Sequence, residues 1–470
     1  MKVIIEMNIE INDIFENVPT MINCSIEMKE ANEPIKIYDG EYIIRNGKHE
    51  IKIKGTINFN WFPNAGVYFS GKILIDYKEY VNIEDNFHSI VVVVNGLEIG
   101  SGLIVHKDFI NGLDREVFIK GALFGKTIFG DKTIHVDKIR FSIPNLREYY
   151  GSLIEKIASQ NITTITGRIK LVNNDYEIII DKCLGYSKLK DSVNSNGGYI
   201  NLYGGELKKI KGSLTLNDVE NIFFSLHCFL SFLNGRRTSA LFRKGIFKDE
   251  IIWSDFTNYQ VDTYKSVTSW TNNDSVNSFN NLWQKFSLFW KNENDKIFFT
   301  TVIHWYIEAN NKTGFSEGSI IMAQTALELI YNWWIIENKK LITGSDTESI
   351  KASNKIRLVL SQLNIDYSVP ISLINLQIFA NKNKEKLDGP ESIVQIRNAI
   401  VHSQEEKRKK LYNISDKVKQ EALQLCIWYI EMSLLYILEF DDNYNNRCPN
   451  ETGFQPHGYL VPWTKINKKD

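Results

Sequence analysis

The hydrophobic period of this chain changes once, near residue 213, and that change limits the folds open to it. Before it, apolar residues alternate with polar ones in short runs bounded by turn residues, as half-buried strands require. Beyond it, and continuously from about residue 282 to 440, apolar residues recur every three or four positions, the spacing of helices. A length of 470 residues allows two or three domains. Two successive periods therefore predict an α+β multidomain chain: a β-rich N-terminal region, sandwich- or barrel-like, followed by an all-α bundle. The expected divisions are 1–205 for the β-rich region, 206–278 for a mixed connecting region with a helix over 218–234, and 279–470 for the helical domain.

Within the first region, Glu41 to Arg45, Asn46-Gly47 and the alternating run His49 to Lys54 predict a hairpin, because Asn and Gly tolerate positive φ. Val67 to Ile75, Ile90 to Val94 and Thr163 to Leu171 predict further strands, the last pairing through Asn173-Asn174-Asp175 with Tyr176 to Ile180. Asn145 to Ser159 is the best helix candidate there. In the second region helices are expected over 281–290, 296–309, 317–337, 353–363, 371–380, 390–403 and 414–440.

Charge and cysteine usage exclude several classes. With 55 Lys+Arg against 56 Asp+Glu, the chain cannot coat nucleic acid by bulk charge, so any such contact is a local patch. The 5 cysteines, Cys24, Cys183, Cys228, Cys426 and Cys448, form no CxxC pair and no zinc-spaced cluster with histidine. They read as reduced thiols of a cytoplasmic protein, with no metal or other cofactor expected. Met1-Lys2-Val3-Ile4-Ile5-Glu6 meets acid at once, unlike a signal peptide. The apolar stretch Ile427 to Leu438 contains Glu431 and is too short to span a bilayer, so no membrane is expected.

Some motifs resolve to structure. Gly121-Ala122-Leu123-Phe124-Gly125-Lys126-Thr127 resembles a phosphate-binding loop but has three residues between its glycines instead of four, and no helix follows; it reads as a turn between strands. His227-Cys228 sits in an apolar helical run and reads as a packed pair, since adjacent helix residues point about 100° apart. Arg236-Arg237 read either as complement to a helix C-terminus or as a phosphate contact.

The segment Asp388 to Ser403 differs. Pro390 and Glu391 suit a first helical turn. Stepping about 100° per residue places Ile393, Val394, Ile396, Ile400 and Val401 in one apolar arc, with Arg397 in its middle. Asn398 and His402 fall beyond the edge of that arc, four residues apart and therefore neighbours. A buried arginine needs an anion or a carboxylate. Two readings follow. Arg397 pairs with a structural acid such as Glu328 while His402 complements the helix dipole, or Arg397 holds a phosphate in a groove while His402 moves protons. Lys407-Arg408-Lys409-Lys410, just downstream, is either a solvated loop face or a contact for an RNA backbone.

Arg397-Asn398-Ala399-Ile400-Val401-His402 resembles the Arg-Asn-x-x-x-His signature of HEPN ribonucleases. The related string Arg45-Asn46-Gly47-Lys48-His49 is one residue short and falls on a hairpin. The layout, a strand-rich region before a helical bundle with its motif on a late helix, resembles ApeA-like prokaryotic antiviral proteins. The resemblance implies an endoribonuclease that needs no metal, cleaving RNA by attack of the 2′-hydroxyl and acting in abortive infection. It implies His402 as general acid or base, Arg397 as stabiliser of phosphorane charge and Asn398 as an orienting group; the motif fixes no acid, and Glu328 in Ala326-Leu327-Glu328-Leu329 is the candidate supporting acid for Arg397. It further implies a homodimer through the helical domain and a phage-derived trigger sensed by the N-terminal region. The alternative is a non-catalytic HEPN module for interaction or nucleotide binding.

Overall fold

Alternating apolar residues along β1 (Ile35–Asn46) and β2 (His49–Asn60) put Tyr42, Ile44, Ile53 and Ile57 on one buried face. The computed structural model describes residues 18–47, 49–74, 89–110, 116–158, 161–311, 315–382, 386–401, 405–449, 455 and 458–465. It divides into two units, Met1–Leu226 with Thr238–Lys265, and His227–Arg237 with Ser266–Asp470. In the first unit β1 and β2 join β3 (Gly66–Leu74), β4 (Ile90–Val94), β5 (Leu97–Ile110) and β6 (Glu116–Phe124) in a closed barrel of order β1-β2-β3-β6-β5-β4. Glycines make closure possible. Gly40, Gly55 and Gly71 face one another across β1, β2 and β3. A Cβ on Gly55 would lie 2.0 Å from the Ser70 carbonyl oxygen, and one on Gly121 would lie 2.0 Å from the Phe69 ring. Strands can bend sharply and approach closely only where that carbon is missing. The hairpin turn falls one residue later than expected: Asn46 pairs with His49, and Gly47 takes φ 57°. Gly121 to Thr127 is the end of β6 and a turn at Gly125 (φ 69°), as its spacing implied.

The same unit holds an eight-stranded antiparallel sheet. Its strands are β7 (Ile128–Gly130), β8 (Lys138–Pro144), β9 (Ser152–Ala158), β10 (Asn161–Val172), β11 (Tyr176–Lys182), β12 (Asn201–Lys209), β13 (Leu241–Phe247) and β14 (Glu250–Asp255). Their order is β7-β14-β13-β8-β12-β11-β10-β9. Two expectations fail here. The helix expected over 145–159 is instead β9, paired with β10 from Ser152↔Arg168 to Ala158↔Asn161, because Ile154 is buried by that pairing. The connecting region expected over 206–278 is no separate piece, since β13 and β14 extend the sheet beyond β8. The chain reaches them through α1 (Tyr186–Asn196), β12 and α2 (Leu216–Asn234). Polar α1, which buries only Tyr186 and Val193, has no counterpart among the expectations.

Residues 18–34 run as a strap across this sheet. Thr20 bridges in parallel to Glu155 on edge strand β9, which blunts the edge. The Ile22 amide donates to Asp181 Oδ2 at 2.8 Å, and Ser25 Oγ donates to the Phe242 carbonyl at 2.6 Å. The strap passes directly over Gly204 of β12, where a Cβ would meet the Asn23 carbonyl carbon at 2.4 Å.

The second unit contains α3 (Val276–Phe289), α4 (Glu293–Asn311), α5 (Phe315–Ile330), α6 (Ala352–Gln362), α7 (Ile374–Asn381), α8 (Gly389–Val401), α9 (Glu405–Tyr412) and α10 (Asp416–Ile437). The apolar period expected to run to 337 continues past α5 as a π-helix, Tyr331–Asn338. There Trp333 stacks on Phe298 of α4 at 4.0 Å and donates to Asp295 Oδ1 at 3.1 Å. Long α10, capped by Ser415 Oγ accepting from the Val418 amide, is buried almost throughout and packs on α4, α5, α6, α7 and α8. Among the described residues no helix is long and apolar enough to cross a membrane.

Candidate active site on the helix Gly389–Val401

The position of α8 is set at its start. Asp388 caps it, Oδ1 accepting from the Glu391 amide at 2.9 Å. The same carboxylate is gripped by Arg357 of α6, Nε at 2.6 Å and Nη2 at 2.9 Å. Hydrogen bonding to Asp388 raises the Arg357 pKa further, so this arginine stays charged and is committed to the pair that holds the cap. Gly389 lets the helix meet α10 closely, since a Cβ there would lie 2.5 Å from the Tyr429 hydroxyl. Gln324 of α5 donates to the Ile393 carbonyl at 2.9 Å.

These neighbours bury the expected arc at Ile393, Val394 and Ile396 and leave its C-terminal end, Ile400 and Val401, less covered. Ser392, Ile393, Ile396 and Ala399 are buried, Arg397 and Ile400 are half-buried, and Val401 is 42% exposed. Arg397 keeps its place on the apolar face but is only half-buried, because it lies toward the C-terminal end of the helix, where that face is less covered. Ser392 and Ala399 are small, which lets helices close in on their side. Half-buried there, the guanidinium keeps access to water, which lowers the desolvation cost that would demand a structural acid. Arg397 Nη1 donates to Asn398 Oδ1 at 3.3 Å and to no carboxylate among the described residues.

The structure brings Arg397 and Asn398 together and separates Glu328 from them. Glu328 is exposed on α5 and accepts from Lys355 Nζ at 2.6 Å. Its expected role as the partner of Arg397 is thus taken by no carboxylate among the described residues. His402 lies outside the described residues. The basic run Lys407-Arg408-Lys409-Lys410 is helical, not a loop, and forms much of α9. Lys409 pairs with Glu405 one turn earlier at 2.7 Å, both side chains in solvent.

The other candidates settle as structure. Cys228 is buried, and burial pushes its thiol up to about 12, far from thiolate chemistry at neutral pH. Arg237 Nη2 contacts His304 Nδ1 at 3.2 Å and pairs with Glu308, which occupies it within the helical unit.

Sequence reasoning passed over three buried ionic groups. In the helical unit Glu431, fully buried, accepts from Arg447 Nε at 2.7 Å and Nη2 at 2.8 Å and from the Tyr306 hydroxyl at 2.7 Å. In the β-rich unit Arg168 holds buried Asp181 through Nε at 2.8 Å and Nη2 at 2.6 Å. Buried Arg243 lies between the rings of Phe223 and Tyr259, 4.3 and 3.7 Å from their centroids. A signal existed for Glu431 alone: a carboxylate inside an apolar helical run must find a partner.

Profile comparisons match residues 131–267 to the YopA central domain and residues 292–455 to the YopA C-terminal domain. The chain is 28% identical over 430 residues to the "SPbeta prophage-derived uncharacterized protein YopA" of Bacillus subtilis (strain 168), covering 89% of this chain and 92% of that protein. No solved structure matches the chain.

Proposed function

We propose that the helical unit is a metal-independent RNA endonuclease of the HEPN type, serving an ApeA-like antiviral, abortive-infection role in the cytoplasm. One observation carries this reading: Arg397 and Asn398 stand side by side on the half-exposed edge of α8, with the guanidinium free of any carboxylate among the described residues. A planar, permanently charged donor so placed suits a phosphodiester. In this reading the ribose 2′-hydroxyl attacks the adjacent phosphorus, Arg397 stabilises the phosphorane charge and Asn398 orients the phosphate. His402, four residues beyond Asn398, supplies the proton transfers. Half-buried Ile400 and exposed Val401 beside Arg397 favour a second copy of the chain completing the groove. The β-rich unit then receives the phage-derived trigger. The prophage origin named for the Bacillus subtilis relative is compatible with a gene used against competing phages.

The test is cleavage of a defined RNA by the purified chain. Products should end in a 2′,3′-cyclic phosphate and a 5′-hydroxyl, form in the presence of EDTA, and be absent with DNA, which lacks the nucleophile. His402→Ala should slow cleavage by about 10²–10⁴-fold. Arg397→Lys should also be poor, since lysine keeps the charge but loses the planar fork. Products bearing 5′-phosphates, or a strict magnesium requirement, would overturn the mechanism. Full activity of a strictly monomeric species on dilution would overturn the dimer. Tyr412, 91% exposed, together with Val401 favours a second reading, a non-catalytic interaction module. That reading predicts intact RNA in every arm of the test.

A further inference from the structure

We propose that Cys24 and Cys183 are a thiol–disulfide site, closing reversibly into a bond that staples the N-terminal strap to the end of β11. Their sulfurs are 2.8 Å apart although 159 residues separate them in sequence. That is within about 0.8 Å of a disulfide bond length.

The apposition is enforced from both sides of Cys24. Before it, Ile22 is tied to Asp181, which Arg168 holds in turn. Beside it, Asn23 lies on Gly204 with no room for a side chain between them. After it, Ser25 is anchored to the Phe242 carbonyl, and the Ile26 carbonyl accepts from Asn201 Nδ2 at 2.9 Å. Cys183 is held by its own amide, which donates to the Leu202 carbonyl at 3.0 Å. The backbone on either side of the pair cannot shift far without breaking one of these hydrogen bonds.

The pair is also reachable. Both cysteines line an open cavity of about 310 Å³, with Met21, Met28, Lys156 and Lys188 among its other walls. The two lysines suit an anionic small-molecule disulfide such as oxidised glutathione. One cysteine thiolate attacks that disulfide and releases one glutathione thiolate, leaving a mixed disulfide. The second cysteine then displaces the bound glutathione. In sum, two cysteine thiols and one oxidised glutathione give one protein disulfide and two reduced glutathiones. The hydrogen bond with Cys24, followed by burial, pushes the Cys183 thiol up, so closure should be slow at neutral pH and quicken as pH rises. Cys228, Cys426 and Cys448 are buried in the helical unit and serve as internal controls.

The test incubates the full chain in glutathione buffers of increasing oxidised-to-reduced ratio, followed by alkylation and peptide mapping without reductant. The expected result is a Cys24–Cys183 linked peptide from the folded protein, loss of two of the five alkylatable thiols and reversal by dithiothreitol. Oxidised wild type should melt at least about 2 °C above reduced wild type. Cys183→Ser should leave Cys24 as a free thiol or a mixed disulfide and abolish that shift. Because the oxidised and reduced wild type are compared directly, a poorly folding variant does not decide the outcome. Absence of the linked peptide in every buffer, its formation only in denaturant, or links among other cysteines would overturn the proposal.

Discussion

At the scale of single residues, charge placement separates structure from chemistry. Arg447, Arg168, Arg243 and Arg357 are each held by a carboxylate or between aromatic rings, whereas Arg397 has only the neighbouring amide oxygen among the described residues. The Arg447–Glu431 pair illustrates what burial demands. Burial lowers the Arg447 pKa, but Glu431 and Tyr306 outweigh it and the net shift is upward. Arg447→Ala should therefore destabilise the protein by about 3–5 kcal/mol, because it strands a buried carboxylate. Replacing both partners, Glu431→Leu with Arg447→Met, should cost much less. Urea titration of the single and double variants checks the difference, and equal losses would show that the pair itself, and not the stranded charge, matters.

At the scale of elements, helix positions follow local signals while the depth to which each helix face is covered does not. Pro390 and Glu391 mark the start of α8 within one residue. How deeply each part of that helix's apolar face is covered is set by α5, α6 and α10, which the local period does not report, so Arg397 in the middle of the expected arc is only half-buried. The basic run became α9 for a related reason: Glu405 one turn ahead of Lys409 supports a helix where charge alone suggested a loop. Between helices, Lys419 of α10 binds Glu317 of α5 at 2.7 Å. That hydrogen bond lowers the Glu317 pKa. A carboxyl lowered on folding contributes stability that is present above its unfolded value and is lost as pH falls through its folded one. Glu317→Gln should therefore lose stability near neutral pH and show a shallower acid limb than wild type. Denaturation midpoints measured from neutral pH to below the ordinary carboxylate range test this, and parallel acid limbs would refute it.

At the scale of the whole molecule, the chain crosses between its units within α2 and again near residues 237 and 265. The profile matches, 131–267 and 292–455, stop and start close to that last crossing. The helical unit consequently includes residues far upstream of its first full helix. Phe229 meets Trp283 at 5.0 Å between ring centroids, and Phe232 meets Trp270 at 5.2 Å and Tyr306 at 5.7 Å. A fragment of residues 276–470 lacks Phe229, Phe232 and Trp270. Each large aromatic lost from a core costs about 3–5 kcal/mol, comparable to the stability of many domains. The fragment should show no cooperative thermal transition by circular dichroism, whereas the full chain should. A sharp transition in the fragment would mean that the helices fold without those residues.

The sequence by itself determined the class of each half, because strand and helix periods are properties of local backbone geometry that side-chain pattern reports directly. It also determined the hairpin near Gly47, the pairing of Thr163–Leu171 with Tyr176–Ile180, the place of α8 and the adjacency of Arg397 and Asn398. Tertiary structure alone decided that residues 152–158 are a strand, since pairing with β10 overrode their local pattern. It alone carried β13 and β14 into the sheet of β8, seated Glu328 on Lys355, and brought Cys24 against Cys183. Each of these joins residues distant in sequence, and which distant residues meet depends on the packing of whole elements, which no local window of sequence contains.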